Sequence, residues 1–312
     1  MKQRMAVGGL VLVLALCLAG CGASGPSLTA DELAKKYPDK KYVNINGVSL
    51  HYEQEGLGRP LIFLHGIPTN YLLWRGITPA LTYGNTIYNL DLMGFGLSEK
   101  PQNLTYSLDT YVGQLGKLIE NFHLDNPILV GHDIGGTIVA IYALRNPGKV
   151  RKLILMDAPL YSAAPPFTAY GIMVRLLRTK GIGNLLTGDW FLKRFLRGGV
   201  VTQEHMTDAI LNDYLKPYHD DPGARTALLK SVRELNLRPV LENEVQPNLG
   251  KIQVPTLIVW GADDPYVPLE LSKKLKDDIK TSELYVVLQS GHYVQEERPE
   301  DVRAEMKEFI DK

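Results

Sequence analysis

Three residues of this chain have the types and the order that nucleophilic catalysis requires: Asp133, Asp264 and His292. Asp133 sits in Gly131-His132-Asp133-Ile134-Gly135, a turn whose glycines let a strand and a helix approach closely. The uncharged apolar run from Pro127 to Val130 precedes it, and small and apolar residues continue after it to Leu144, before Asn146-Pro147. Strand, tight turn and helix is the setting of a nucleophile elbow, which holds one side chain in strained backbone at the top of a sheet. A helix N-cap is the plain alternative for Asp133, but a cap needs neither flanking glycines nor a buried strand before it.

An aspartate at this point decides the chemistry. A carboxylate is a poor acyl nucleophile, but it displaces a leaving group from saturated carbon and leaves an alkyl ester on the enzyme. Water must then hydrolyse that ester. This second step needs a base, an acid to orient the base, and donors for the oxyanion. His292, in the loop Ser290-Gly291-His292-Tyr293 after the last expected strand, is the base. Trp260-Gly261-Ala262-Asp263-Asp264 offers two carboxylates, of which Asp264 is favoured as the acid. Asp263 is one register away, and Asp157, ending an earlier strand, is another origin for the acid. The backbone N–H groups of Ile67 and Ile134 are the expected oxyanion donors. His65 and His132 flank glycine turns and are read as hydrogen-bonding those turns. No His/Cys cluster has metal-ligand spacing, so neither metal nor cofactor is expected.

Positioning these groups takes a sheet. Tyr42 to Tyr52 reads as a hairpin through Asn46-Gly47. Leu61–Leu64, Thr86–Asp91, Lys152–Met156, Val254–Trp260 and Leu284–Leu288 read as strands, the last three after helical or loop segments. Helical spacing covers Ser107–Phe122 and Pro299–Ile310. Near-continuously apolar strands alternating with helices predict an α/β fold with a mostly parallel central sheet covered on both faces. Residues 159–246 break the pattern and read as an inserted helical cap, splitting the core into 40–158 and 247–312. The cap interleaves Arg175, Arg178, Lys180, Lys193, Arg194 and Arg197 with Leu, Phe and Trp. Packed cap helices with solvated basic faces are preferred to a membrane-lying cap.

The N-terminus carries a separate message. Met1-Lys-Gln-Arg is followed by an apolar run from Ala6 to Ala19, too short to span a bilayer comfortably. It ends in Leu18-Ala19-Gly20-Cys21, which resembles a bacterial lipobox with cleavage before Cys21 and lipid on its thiol. An ordinary signal peptide or uncleaved anchor is the alternative. Under the lipoprotein reading, residues 1–20 are signal and 21–39 a flexible tether. The protein is then exported and held at the outer membrane or the outer face of the cytoplasmic membrane. The 34 basic and 34 acidic side chains balance, which gives no reason to expect nucleic acid.

His65-Gly-Ile-Pro-Thr with Leu73-Trp74, Asp91-x-x-Gly-Phe-Gly-x-Ser-x-Lys-Pro101, Gly131-His-Asp-Ile-Gly-Gly136 and Gly291-His-Tyr-Val-Gln-Glu-Glu-x-Pro-Glu300 together resemble the epoxide hydrolase and haloalkane dehalogenase branch of the α/β-hydrolases. The likeness runs from Tyr42 to the C-terminus and is thinnest in the cap. It implies an α/β-hydrolase fold and a covalent alkyl-enzyme, and is weak on substrate. Haloalkane dehalogenases usually place Trp after the nucleophile, and many place Asn after His-Gly; this chain has Ile134 and Ile67, which cannot donate from their side chains. Trp74 or Trp190 would have to substitute, although Trp74 suits the core better. Fluoroacetate dehalogenases carry Arg after the nucleophile, so Ile134 argues against a carboxylate substrate. Epoxide hydrolases use cap tyrosines as acids, and the cap supplies Tyr161, Tyr170, Tyr214 and Tyr218. The resemblance therefore implies opening of a small apolar epoxide to a diol, with dehalogenation as runner-up and a non-catalytic binding lipoprotein as the reading from another class.

Overall fold

The computed structural model describes residues 25–162, 175–179, 183 and 186–312. The described chain runs α1 (Ala30–Lys36), β1 (Lys41–Ile45), β2 (Val48–Gly56), β3 (Arg59–Leu64), β4 (Asn85–Leu90), α2 (Leu108–Asn121), β5 (Ile128–His132), α3 (Ile134–Arg145) and β6 (Lys152–Met156). The cap helices α4 (Asp189–Gly198), α5 (Asp208–Asp220) and α6 (Ala224–Glu234) follow, then further helical turns to residue 251. The core resumes with β7 (Thr256–Gly261), α7 (Leu269–Asp278), β8 (Ser282–Val287), α8 (Val294–Glu297) and α9 (Pro299–Asp311).

The strands form one eight-stranded sheet in the order β1-β2-β4-β3-β5-β6-β7-β8. β1 with β2 and β2 with β4 are antiparallel; every later pairing is parallel. The Asn46-Gly47 turn takes positive φ at both residues, as a two-residue hairpin requires. The parallel strands show why their alternation is hidden in the sequence. Ile62, Leu64, Leu129, Leu153, Leu155, Ile258 and Trp260 face one core cluster with helices α2, α3 and α7. Leu61, Phe63, Ile128, Val130, Ile154, Met156, Leu257 and Val259 face the other, under Trp74 and α9. Both faces are dry, so both sets must be apolar.

The N-terminal segment differs from the expected tether. From Gly25 on it is docked: Thr29 and Glu32 close a capping box on α1, and Leu33 is buried. The Gly25 N–H reaches Pro222 O (3.3 Å), Ser27 Oγ donates to Lys100 O (2.8 Å), and Leu28 N–H reaches Asp221 Oδ1 (3.3 Å). Lys36 and Tyr37 hold Asp220. Composition suggested flexibility because these anchors are single residues without hydrophobic period. Beneath them lies the buried Lys100–Asp221 ion pair (3.3 Å), which joins a core loop to the end of α5.

Candidate active site

β5 delivers Asp133 into φ 50°, ψ −123°, a conformation that non-glycine residues rarely adopt. The elbow is closed so tightly that a Cβ on Gly135 would sit 2.3 Å from Leu64 O. A Cβ on Gly66 would sit 2.5 Å from that of Asp133. Glycine at these points is what lets β3, β5 and α3 meet. The Asp133 carboxylate is buried, and its Oδ2 accepts the Ile67 N–H at 3.0 Å. Burial pushes its pKa up; the charge of His292 and the N–H groups of Ile67 and Ile134 pull it back without cancelling the rise. The two backbone donors expected from sequence thus act on the nucleophile itself.

β7 and β8 supply the rest. His292 Nδ1 lies 2.8 Å from Asp264 Oδ2, and both side chains are buried. Asp264 Oδ1 accepts the N–H groups of Tyr266 (2.7 Å) and Val267 (3.0 Å), so its carboxylate is locked in orientation. Asp263 is exposed and takes no part in this pair. Burial lowers the His292 pKa, but the Asp264 charge and hydrogen bond, together with the Asp133 charge, outweigh it and leave the imidazole above its ordinary value. With Nδ1–H given to Asp264, Nε2 is the nitrogen left for water.

Asp157 also enters the site. Like Asp133 it ends a strand at positive φ, and its Oδ1 accepts the Gly261 N–H at 2.9 Å. Burial, with the Asp264 charge beside it, pushes its carboxyl well above the ordinary range. Ligand-type atoms of Asp157, Asp264 and His292 lie within 4.8 Å of one another. Asp264 and His292 spend theirs on each other.

Two further residues hold the base, and sequence reasoning gave neither that task. His132 Nε2 lies 2.8 Å from the carbonyl oxygen of His292 and donates to it, since a carbonyl can only accept. Glu297, buried, accepts from the N–H groups of Gly291 (2.6 Å), Val201 (2.8 Å) and Thr202 (3.0 Å), tying the base loop to the cap. Its place in the Gly-His…Glu-x-Pro run was the available signal. His65 serves its own turn, as expected: Nδ1 bonds Gly66 O and Nε2 accepts from Leu92 N–H.

A cavity of about 660 Å³, counted out to its open mouth, rises from Asp133 into the cap. Leu177, Phe191, Leu192, Phe195, Leu228 and Val232 give it an apolar wall, and Arg178 is the charged residue at its side. None of the three described cap tyrosines is among the residues that line it. Tyr161 donates to Asp278 (2.7 Å), Tyr214 to Glu296, and Tyr218 to Pro68 O (3.1 Å). Tyr161 and Tyr214 are paired with carboxylates of α7 and α8, while Pro68, the acceptor of Tyr218, itself lines the cavity; residue type alone does not reveal such partners. Tyr170 and Cys21 lie outside the described residues. Neither substitute halide donor lines the cavity: Trp74 is buried edge-on to Phe63, and Trp190 is 66% exposed.

A family model described as the alpha/beta hydrolase fold matches residues 59–180 and 191–299. The chain belongs to the α/β-hydrolase fold family. Its likeness within the family is broad. The uncharacterized hydrolase YugF of Bacillus subtilis is 29% identical over 85% of this chain and 96% of its own. Haloalkane dehalogenase 2 of Mycobacterium tuberculosis is 26% identical over 86% and 94%. A mutant of haloalkane dehalogenase DatA from Agrobacterium tumefaciens superposes with a TM-score of 0.78 at 25% identity, covering 88% of this chain and 96% of that one. Asp133, Asp264 and His292, the candidate nucleophile, acid and base, follow β5, β7 and β8 in that order.

Proposed function

We propose that this α/β-hydrolase cleaves a bond between saturated carbon and a leaving group in an apolar substrate, by way of an alkyl ester on Asp133. The observation that carries the reading is the Asp133 carboxylate at the floor of an apolar cavity, with Oδ2 held by the Ile67 N–H and the His292–Asp264 pair beside it. In the first step a carboxylate oxygen of Asp133 forms the C–O bond as the leaving group departs with its electron pair. In the second, His292 takes a proton from water, and the hydroxide adds to the ester carbonyl of Asp133. The N–H groups of Ile67 and Ile134 then face the tetrahedral oxyanion. Collapse releases the alcohol and restores the carboxylate.

The engagement of Tyr161 and Tyr214 away from the cavity favours a leaving group that departs as a stable anion, such as halide, although the halide donors Trp74 and Trp190 do not line the cavity either. An epoxide oxygen leaves as an alkoxide and needs a proton, but the hydroxyls of Tyr161, Tyr214 and Tyr218 are turned to Asp278, Glu296 and Pro68. A halide needs none. Epoxide opening is the second reading, supported by the motifs shared with epoxide hydrolases.

One turnover in ¹⁸O-water tests the route. Hydrolysis at the ester carbonyl puts the label into Asp133 and leaves the first product unlabelled. Label in the first product, with Asp133 unlabelled, points instead to direct attack by water and ends the proposal. Run with haloalkanes and with terminal epoxides, the same assay ranks the two leaving groups.

A further inference from the structure

The helix that roofs the cavity has a second face. Phe191, Leu192 and Phe195 of α4 line the cavity. On the outer side, Trp190, Lys193, Arg194 and Arg197 line a shallow surface groove with Gln203, and among the described residues no acidic one lines it. Trp190, Arg194 and Arg197 follow the i, i+4, i+7 spacing of one helical stripe. Trp190 is 66% exposed, while Trp74 and Trp260 are fully buried. Three of the six strongly exposed large apolar residues among those described, Leu176, Trp190 and Val201, belong to the cap.

Gly25, the first of the described residues, is held near the N-terminal end of this helix. Gly25 is bonded to Pro222 in the turn between α5 and α6. Asp189, the residue before Trp190, pairs with His219 of α5 (2.7 Å) and with Arg225 of α6, on either side of that turn. Gly25 is only four residue steps from Cys21, a reach of at most ~14 Å. A membrane attachment through the preceding apolar run or a Cys21 lipid would therefore hold the cap, rather than the far edge of the sheet, next to the bilayer.

We propose that the outer face of α4 is a membrane-docking surface for an anionic phospholipid bilayer. Trp190 would seat at the interface between headgroups and chains while Lys193, Arg194 and Arg197 meet lipid phosphates. The cavity wall and the docking stripe are then opposite faces of one helix, so an apolar substrate dissolved in lipid would need to cross only the cap to reach Asp133. Lys193 and Arg197 also bond Asn212 and Asp208. Arg194 is exposed and is the cation to vary.

The test uses the full chain with vesicles whose acyl chains are brominated, made of phosphatidylcholine alone or with phosphatidylglycerol. The difference between wild type and Trp190→Phe isolates the Trp190 emission. That emission should shift to the blue and be quenched in the phosphatidylglycerol vesicles, and Arg194→Ala should weaken the effect, since each cation near an anionic surface contributes about fivefold to attraction. Failure to float with the vesicles overturns the proposal. So does flotation with Trp190 unquenched, which places the attachment elsewhere, or equal quenching on both lipids that ignores Arg194→Ala.

Discussion

The Nδ1 atom of His292 lies 2.8 Å from Oδ2 of Asp264, and the second oxygen of Asp264 is held by two backbone N–H groups of the segment that follows β7. Asp264 therefore cannot turn away from His292, and in the proposed mechanism its charge is available to the imidazolium that forms when His292 takes a proton from water. Asp264→Asn keeps the shape and removes that charge. Ester hydrolysis should slow by roughly 10³–10⁴-fold, as in other oriented triads, while alkylation of Asp133 survives. Rapid-quench measurement of the two steps checks this; equal loss in both would show that Asp264 serves the whole site rather than the base.

The pH dependence should differ between the two steps. The Asp133 charge is one of the causes that raise the His292 pKa, and esterification abolishes it. The imidazole must be neutral to act, so ester hydrolysis should rise with pH through the His292 pKa and level off above it. That pKa should be lower in the alkyl-enzyme than in the free enzyme. Single-turnover rates against pH, set beside an NMR titration of free His292, measure both. An unchanged value would mean that Asp133 and His292 do not sense each other's charge.

Asp157 should behave as a neutral acid. Asp157→Asn retains an acceptor for the Gly261 N–H and removes no charge, so the pH profile of ester hydrolysis should stay in place. Asp157→Ala leaves that buried N–H unpaired and should cost about 1–3 kcal/mol of stability. A profile moved toward acid in Asp157→Asn would show instead that Asp157 is ionised beside His292. Denaturant titration and the pH profile together separate the outcomes.

How much of this was readable in the sequence depends on how local each cause is. The elbow at Asp133 was legible because two glycines, a strand and a helix all lie within a few residues. Asp264 was separated from Asp263 by register, and the exposed Asp263 agrees with it. The cap tyrosines were not legible. Tyr161 and Tyr214 bond to Asp278 and Glu296, residues of α7 and α8, 117 and 82 positions away, and no spacing rule reports such partners. The docked segment at 25–39 was missed for the same reason: Pro222, Asp220 and Lys100 hold it one residue at a time.

Away from the site, His51 and Asp91 form a fully buried pair (2.8 Å), with Asp91 also accepting from Tyr71 N–H and Leu97 N–H. Burial raises the Asp91 pKa, but His51, the charge of His65 and the Leu97 N–H together outweigh it and hold the carboxyl below its ordinary range. Burial likewise lowers His51, but Asp91 and Glu53 outweigh it and hold the imidazole above its ordinary value. The Asp91 contribution is present above the ordinary carboxylate pKa and lost as pH falls through its depressed value. The His51 contribution is complete below the ordinary imidazole pKa and lost as pH rises through its raised value. Stability from the pair should peak between those limits. His51→Ala, which strands the buried carboxylate, should cost about 3–5 kcal/mol. Urea midpoints across pH check the sign, and a variant with unchanged pH dependence would count against the pair.

The most direct measurement is the intact mass of the full chain carrying His292→Ala after incubation with haloalkanes and epoxides. Without the base, the alkyl ester on Asp133 should persist. The account predicts an adduct of the haloalkane mass less HX, or of the whole epoxide mass, that peptide mapping places on Asp133 and that disappears in Asp133→Asn. An adduct that survives Asp133→Asn, or a wild type that turns these substrates over while His292→Ala never carries an ester, would contradict it.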